Sequence, residues 1–364
     1  MIPKYPWQIP KWSNILKEQI LTPEWVEKLK IGEEITLAKI EVLVEVLFNL
    51  EAGIAFDFFE KGSFRPEIEP PHVIPTVDHT PWQAASFRVP KAFEKHIKEI
   101  IKAKIDCGAL KRSCGPYRNP WFLVVKKAGK YRLINAAQRL NAVAIKDASL
   151  APSVDNFGEE FSGFQFLSLL DLLSGYDPCI LAPASRDMTA FMTLFGLLRM
   201  TTLPHGYTNG VQGFDKVIGK VLKDAISENC GKPCIDNVAV KPVSRSHYLN
   251  KEGTLEEVVP GVRKYVLEAI ISLDKVLADI ERAVATISGE KSEVLKSSLK
   301  VIAYICRQDG RTPQQVKIQR IVDWPSCKTV TDIKAFIGMC VYYRVRIQGF
   351  SVIAEPLFRL TRKN

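Results

Sequence analysis

The sequence predicts an α+β protein, and three patterns along its 364 residues support this fold class. Amphipathic helices are predicted near both ends, short apolar strands occur in pairs that are close in sequence, and helices and strands alternate irregularly. A doubly wound parallel sheet would need strands that alternate regularly with helices, so this order argues against one. With 46% hydrophobic residues the chain can bury a sizeable core, and its length suits two or three compact units.

The first 65 residues are predicted to form a helical extension. Thr22 is a good N-cap residue, and Pro23 after it suits the first helical position. A second helix is predicted from Glu33 to Gly53, because its apolar residues recur at helical spacing. Residues 66–91 hold six prolines, which suit neither a helix interior nor a central strand. This stretch is therefore predicted to be an extended connector.

The middle of the chain is predicted to alternate between helices and paired strands. The predicted elements are a basic helix from Ala92 to Ile105 that ends at Gly108, a hairpin over 122–135, a buried strand at 164–171, a strand pair over 189–203, a helix over 209–228 and a strand pair over 233–241. The hairpin is indicated by the strands FLVVKK and YRLIN on either side of Gly129.

Further helices are predicted towards the end of the chain. Beyond Pro260, apolar residues from Val262 to Ile280 keep the spacing of a long amphipathic helix. A later helix carries Ile333 and Phe336, with Thr331 as its predicted cap.

The positive charge is concentrated outside the first 70 residues. The chain has a formal net charge of +10, and residues 71–364 alone carry +14. A stretch without acidic residues holds Lys111, Arg112, Arg118, Lys126, Lys127, Lys130, Arg132 and Arg139. Such a one-sided charge favours a polyanionic partner such as nucleic acid. A solvated basic face is the alternative.

The cysteine pattern and the absence of a long apolar run indicate the cellular compartment in which the protein is expected. The eight cysteines are scattered without paired C-x-x-C motifs, which argues against a zinc site or a disulfide framework. Cys306 and Cys340 lie in apolar runs and are predicted to be buried free thiols. No run is long enough to span a membrane, and the first residues lack the apolar core of a signal peptide. An intracellular protein of the cytoplasm or nucleus is expected, or a piece cut from a longer chain.

Two aspartates stand where a sheet could hold them together. Asp171 ends the apolar strand FLSLLD, and Asp236 lies in the turn of the later strand pair, within CIDNV. Carboxylates on neighbouring strands can hold the two hard divalent metals that catalyse nucleotidyl transfer. Taken alone, an aspartate that ends a strand is more often a helix N-cap.

The order of the motifs resembles that of gypsy-class reverse transcriptases from the Pol polyproteins of LTR retrotransposons. The matching segments are YRLINAAQRLN after a Lys-Lys pair, LLDLLSGYD, LPHG, CIDNV at the place of the family's Y-x-D-D hairpin, and FIGMCVYYR followed by IAEPLFRL. The match covers about residues 66–364 and contains five motifs in the family's order. A chance match is therefore improbable.

The resemblance implies a right-hand polymerase with fingers, palm and thumb. Its expected parts are a helical N-terminal extension at 1–65, a proline-rich connector at 66–91, fingers and palm at 92–258, and the palm end and thumb at 259–364, truncated before a ribonuclease H domain. The expected partners are an RNA template, a DNA primer, deoxynucleoside triphosphates and other Pol domains, with no membrane.

The resemblance also implies roles for individual residues. Asp171 and Asp236 would bind two Mg²⁺ or Mn²⁺ ions. Nucleotide binding would fall to Lys126, Lys127, Arg132, Tyr176 and His205, with Tyr176 excluding a 2′-hydroxyl. Nucleic-acid binding would fall to Lys111, Arg112, Arg118, Lys130 and Arg139. A solvated lysine is an equal alternative for Lys127, and a core aromatic is an equal alternative for Tyr176.

The sequence departs from the family pattern at three places in or beside the matching motifs. Asn237 takes the catalytic position of the second of the family's paired aspartates, which removes a negative charge and weakens the expected metal affinity. Ala136 and Ala137 replace a usual Asp-Tyr pair, and Pro178 closely follows the Ser-Gly-Tyr sequence. An RNA-directed DNA polymerase is expected, and the alternative is a catalytically impaired remnant that keeps the fold and binds nucleic acid.

Overall fold

In this computed structural model, the strand that ends at Asp171 lies in the middle of the central sheet. The structure describes residues 23–56, 60, 62, 64–65, 67–85, 91–125, 131–149, 154–173, 176–234, 236–246, 248–249, 253–259, 261–302 and 304–362. Its α-helices are α1 (Pro23–Lys28), α2 (Leu37–Asn49), α3 (Glu94–Asp106), α4 (Gln138–Val143), α5 (Val154–Glu160), α6 (Pro183–Arg186), α7 (Gly210–Val221), α8 (Lys223–Ser227), α9 (Lys264–Arg282), α10 (Gln315–Val322), α11 (Val330–Val341) and α12 (Phe350–Leu360).

The strands are shorter than most of the helices. They are β1 (Lys30–Ile31), β2 (Ile54–Ala55), β3 (Leu110–Arg112), β4 (Trp121–Val125), β5 (Tyr131–Asn135), β6 (Leu167–Asp171), β7 (Phe191–Thr193), β8 (Gly196–Met200), β9 (Gly231–Cys234), β10 (Asn237–Val240), β11 (Glu257–Val259), β12 (Val262–Arg263), β13 (Ile287–Ser288), β14 (Glu293–Lys296), β15 (Ser298–Val301), β16 (Tyr304–Arg307) and β17 (Gly310–Pro313). The predicted α+β class is confirmed.

The central sheet has the strand order β1-β14-β6-β10-β9. Strand β6 lies in the middle, antiparallel to both β14 and β10. Its predicted burial is confirmed, since Leu167 and Leu170 are buried on opposite faces. Helix α9 packs against β9 and β10 and buries the apolar stripe predicted from the sequence. Helix α9 thereby covers one face of the sheet, and Leu167 packs into a separate apolar cluster on the other.

The N-terminal extension belongs to the same core as the central sheet. Helix α2 packs on α9, and β1 adds a parallel strand at the edge of the sheet beside β14. Helices are found at both predicted places, but α2 is shorter than the predicted range from Glu33 to Gly53, and the strands β1 and β2 were not predicted. Residues 1–22 lie outside the described part. Residues 67–85 form no helix and pair through isolated bridges, as predicted for an extended connector.

A second hydrophobic cluster joins α3 to two small sheets, β3-β8-β7 and β4-β5. Helix α3 matches the predicted basic helix to within two residues at each end, and Gly108 with φ +76° follows its end. The predicted hairpin is confirmed by the antiparallel pairing of β4 with β5. Its turn, residues 126–130, lies outside the described residues.

The last part of the chain combines the sheet β15-β16-β17 with helices α10 to α12. The ring of Tyr304 in β16 is fully buried and stacks on Tyr342 after α11, with ring centroids 6.3 Å apart. The prediction that Thr331 caps this helix is wrong. Thr329 is the N-cap, because its hydroxyl accepts from the Asp332 backbone N–H and the Asp332 carboxylate accepts from the Thr329 N–H.

One of the two cysteines predicted to be buried is less buried than expected. Cys306 in β16 is fully buried, as predicted. Cys340 in α11 is only half-buried, because α11 packs loosely on the protein and Ile337 is its one fully buried residue. Within the described residues, no helix is both long and apolar enough to cross a membrane.

Candidate catalytic cleft

The two predicted metal-binding aspartates lie at adjacent strand ends. Asp171 is the last residue of β6, and Asp236 directly precedes β10, which pairs with β6. The Leu172 backbone N–H donates to the carbonyl oxygen of Asp236 at 3.1 Å. Because the paired strands fix both backbones, the two carboxylates are held at one end of the sheet. The geometry matches the arrangement predicted from FLSLLD and CIDNV.

A cleft of about 410 Å³ opens at these strand ends. It is lined by Ile100, Ala103, Lys104, Tyr131, Arg132, Leu133, Asp171, Leu172, Leu173, Tyr176, Asp177, His205, Phe214, Asp236 and Lys291. Five side chains that the sequence singled out thus meet in one cleft: Asp171, Asp236, Arg132, Tyr176 and His205. Asp171 and Asp236 come from the central sheet, and Arg132 comes from the β4-β5 hairpin. Tyr176 precedes β7 and His205 follows β8.

Tyr176 lies on an aromatic wall of the cleft. Its ring contacts His205 edge-on with centroids 5.0 Å apart, and lies 5.4 Å from Phe214 of α7. Burial raises the pKa of the Tyr176 phenol above its ordinary value of 10, and the charges of Asp236 and Asp215 raise it further. The phenol is therefore neutral at physiological pH and presents an apolar face with a hydrogen-bonding hydroxyl.

Asn237 changes the charge of the carboxylate cluster. It lies opposite Asp171 in the β6-β10 ladder, and its amide Nδ2 is 3.4 Å from Asp236 Oδ1. Its side chain contributes a neutral amide where an aspartate would contribute a charge. Asp171 is instead paired with Lys291, whose Nζ lies 2.9 Å from Asp171 Oδ1.

The donor set fits hard divalent cations. Asp171 and Asp236 offer carboxylate oxygens, and Asn237 offers an amide oxygen, which are the ligand types that Mg²⁺ and Mn²⁺ prefer. Among the described residues no group of three or more His, Cys, Asp or Glu side chains is arranged to hold a metal. Asp177 also lines the cleft but pairs with Lys104, so Asp171 and Asp236, at the adjacent strand ends, are the candidate charged ligands.

The other predicted basic residues lie away from the lining of the cleft or outside the described part. Lys126, Lys127 and Lys130 fall in the undescribed turn 126–130. Lys111 and Arg112 are exposed on β3, and Arg139 is exposed on α4. Arg118 is half-buried, and its Nε donates to the carbonyl oxygen of Ala84 at 2.9 Å, so part of its guanidinium holds the connector.

Sequence reasoning missed two lysines of the cleft. Lys104 of α3 pairs with Asp177 at 3.6 Å, and Lys291 pairs with Asp171 from a loop 120 residues later in the chain. Neither lies in a local pattern that points to the cleft. Long-range packing alone brings them there.

No family model matches the chain, but most of its length is similar to named proteins. It is 24% identical over 322 residues, or 87% of its length, to the retrovirus-related Pol polyprotein from transposon 297 of Drosophila melanogaster. It is 26% identical over 290 residues, or 78% of its length, to that from transposon gypsy of the same species. The chain spans about a quarter of these polyproteins, 28% and 26% of their lengths.

A solved structure of similar fold is that of the foamy viral protease-reverse transcriptase in complex with double-stranded DNA. The TM-score is 0.77 at 19% sequence identity, and the match covers 98% of this chain and 59% of that one. At this identity the likeness is one of fold. Over most of its length, the chain is therefore similar to the reverse transcriptase region of LTR-retrotransposon Pol polyproteins, and it has the right-hand polymerase fold.

Proposed function

We propose that the chain catalyses RNA-directed DNA synthesis, the transfer of a nucleotidyl group from a deoxynucleoside triphosphate to the 3′-hydroxyl of a DNA primer on an RNA template. The observation that carries the proposal is the meeting of Asp171, Asp236, Arg132, Tyr176 and His205 in one cleft at the end of the central sheet. These five residues belong to four separate motifs, and a shared cleft is what a common reaction requires.

Two Mg²⁺ or Mn²⁺ ions are the proposed cofactors, held by Asp171 and Asp236. When bound, such ions lower the pKa of the attacking hydroxyl and neutralise charge on the triphosphate. Asn237 would add a neutral oxygen ligand. Because one negative charge is missing, the chain should need a higher concentration of divalent cation than a site with three carboxylates.

The remaining cleft residues are proposed to bind the incoming nucleotide. Arg132 projects from β5 into the cleft, where its planar guanidinium can make two parallel hydrogen bonds to phosphate oxygens. Lys126 or Lys127, from the turn of the same hairpin, would add charge. Tyr176 would lie under the sugar and exclude a 2′-hydroxyl, and His205 would hold the Tyr176 ring in place through their edge-on contact.

Template and primer would lie against the basic surface. Lys111, Arg112, Lys130 and Arg139 are the proposed phosphate contacts, together with the part of Arg118 that does not hold Ala84. The foamy viral relative was solved with double-stranded DNA, which fits a duplex partner for this fold. We place fingers and palm at 92–258 and the palm end and thumb at 259–364, with α9 and β14 on the palm side because they contact the central sheet.

The test is extension of a labelled DNA primer on an RNA template by the purified chain, in Mg²⁺ and separately in Mn²⁺. The proposal expects template-directed addition that the Asp171→Asn substitution abolishes. Absence of extension in both metals would overturn it. Asp309→Asn, in the β16-β17 turn, is a matched control that removes a carboxylate outside the cleft lining and should leave extension unchanged.

A second candidate function is nucleic-acid binding without synthesis. Two observations favour it: Asn237 lacks the charge of an aspartate, and Lys291 already neutralises Asp171. It predicts that affinity for a primer–template duplex falls steeply with salt, because phosphate contacts release counterions. Salt-dependent binding without extension in either metal would favour this second function, and binding that is insensitive to salt would exclude it.

A further inference from the structure

We propose that Lys291 is a resident counter-cation of the carboxylate pair, which a divalent cation must displace before the site is loaded. This inference rests on the proposed metal-dependent function, and it assigns a regulatory role to a residue that the sequence motifs do not contain. Lys291 lines the cleft together with Asp171 and Asp236. Its ammonium nitrogen lies 2.9 Å from Asp171 Oδ1, which is the distance of a charge-assisted hydrogen bond.

Charge balance explains why this contact matters here. Asp171 and Asp236 carry one negative charge each, Lys291 carries one positive charge, and Asn237 is neutral. The cluster therefore has a net charge of −1, where an aspartate at position 237 would make it −2. A weaker negative field attracts a divalent cation less strongly, so Lys291 competes most effectively in a chain that has Asn237.

The backbone around Lys291 is fixed, so the contact is not that of a lysine on a free loop. The next residue, Ser292, is fully buried; its hydroxyl accepts from the Asp171 backbone N–H at 3.1 Å and donates to the Ser288 carbonyl at 2.7 Å. One serine thus ties the loop of Lys291 to the strand end that carries Asp171.

The N-terminal extension holds the other side of this loop. Strand β2 pairs with β13, and the Gly289 N–H donates to the Ala55 carbonyl at 3.0 Å. Gly289 packs so closely on Phe56 that an added Cβ would lie 2.2 Å from the ring. The loop 289–291 is thereby clamped between the extension and the central sheet, with Lys291 directed at the carboxylates.

The test measures Mn²⁺ binding directly, by electron paramagnetic resonance of the free ion, in the full chain without nucleic acid. The Lys291→Gln substitution removes the charge and should tighten Mn²⁺ binding roughly two-fold to ten-fold at low salt, in keeping with the modest strength of exposed ion pairs. The gain should shrink as salt rises, because screening weakens the competing charge.

Two further variants separate charge from position. Lys291→Arg keeps the charge and Lys300→Gln removes a charge from the exposed side of β15, outside the cleft lining. Both should leave Mn²⁺ affinity within about two-fold of the original chain, as for ordinary surface substitutions. Circular dichroism of each variant confirms that the fold is kept.

The outcomes show separately whether Lys291 competes with the metal ion and whether the proposed metal site exists. Tighter binding in Lys291→Gln alone supports the inference. Measurable Mn²⁺ binding that Lys291→Gln leaves unchanged or weakens overturns the inference and leaves the proposed metal site intact. If neither the original chain nor any variant binds Mn²⁺, the metal site itself is refuted and the inference falls with it.

Discussion

Asn237 lies directly opposite Asp171 in the antiparallel ladder of β6 and β10. The position is therefore part of the carboxylate cluster and not a distant surface site. A neutral amide at this place preserves the backbone pairing of the two strands, since main-chain hydrogen bonds do not depend on the side chain. The fold thus tolerates asparagine, while the negative charge at this end of the sheet is lower than an aspartate would make it.

Restoring the carboxylate should strengthen metal binding. We expect Asn237→Asp to lower the Mn²⁺ concentration for half-maximal primer extension on the order of ten-fold, equivalent to about 1.4 kcal/mol of added attraction. Asn156→Asp in α5, outside the cleft lining, adds the same charge and is the matched control. Equal metal requirements in the two variants would show that position 237 is not a metal position.

Tyr176 should set the choice between deoxyribose and ribose. Tyr176→Ala opens space beneath the sugar and should raise ribonucleotide incorporation relative to deoxynucleotide incorporation on the order of ten-fold or more, because a steric barrier is removed. Tyr176→Phe keeps the ring and should keep the selectivity. Single-nucleotide incorporation with paired dNTP and rNTP measures the ratio, and unchanged selectivity in Tyr176→Ala would contradict the assignment.

Gly289 should be required for the packing of the N-terminal extension on the loop of Lys291. Gly289→Ala places a methyl group 2.2 Å from the Phe56 ring and should cost about 1–3 kcal/mol of unfolding free energy, the usual cost of overpacking. Gly219→Ala in α7 meets open space and should be neutral or stabilising by up to about 1 kcal/mol. Urea denaturation compares the two, and equal stabilities would contradict the contact.

The cysteines should differ in reactivity with alkylating reagents. Burial raises the pKa of the Cys179 thiol to about 12 and that of Cys306 to about 11. Raised values leave less thiolate at pH 8, and the thiolate is the nucleophile, so both should stay unmodified in the native state. Cys114 and Cys327 are exposed and should react. Mass spectrometry after brief iodoacetamide treatment gives the pattern, and early labelling of Cys179 would refute its burial.

Local pattern predicted several elements of this fold, but not the sheet β15-β16-β17. The helical spacing of α9, the apolar run of β6 and the β4-β5 hairpin each express a periodicity or a turn that a short segment contains. The cap of α11 was misplaced by two residues, because Thr329 and Thr331 are both acceptable caps and the Asp332 carboxylate decides between them. Local sequence therefore predicts whether a segment is a helix or a strand more accurately than it predicts the residue at which that element begins.

Long-range relationships could not be predicted in this way. Asp171 and Asp236 were paired through their motifs, but nothing near Lys291 in the sequence points to Asp171. The pairing of β1 with the sheet edge also depends on contacts across more than 250 residues, as in Lys30 opposite Glu293. Such contacts follow from the packing of the whole core, which a window of neighbouring residues does not contain.

Single-nucleotide incorporation tests most directly whether this cleft performs templated nucleotidyl transfer through Asp171 and Asp236. The purified chain receives a DNA primer on an RNA template, one dNTP at a time, with Mn²⁺. We predict addition of the nucleotide that complements the template base, and its loss in Asp171→Asn and in Asp236→Asn. Absence of addition by the unaltered chain, or addition that survives both substitutions, would contradict the claim.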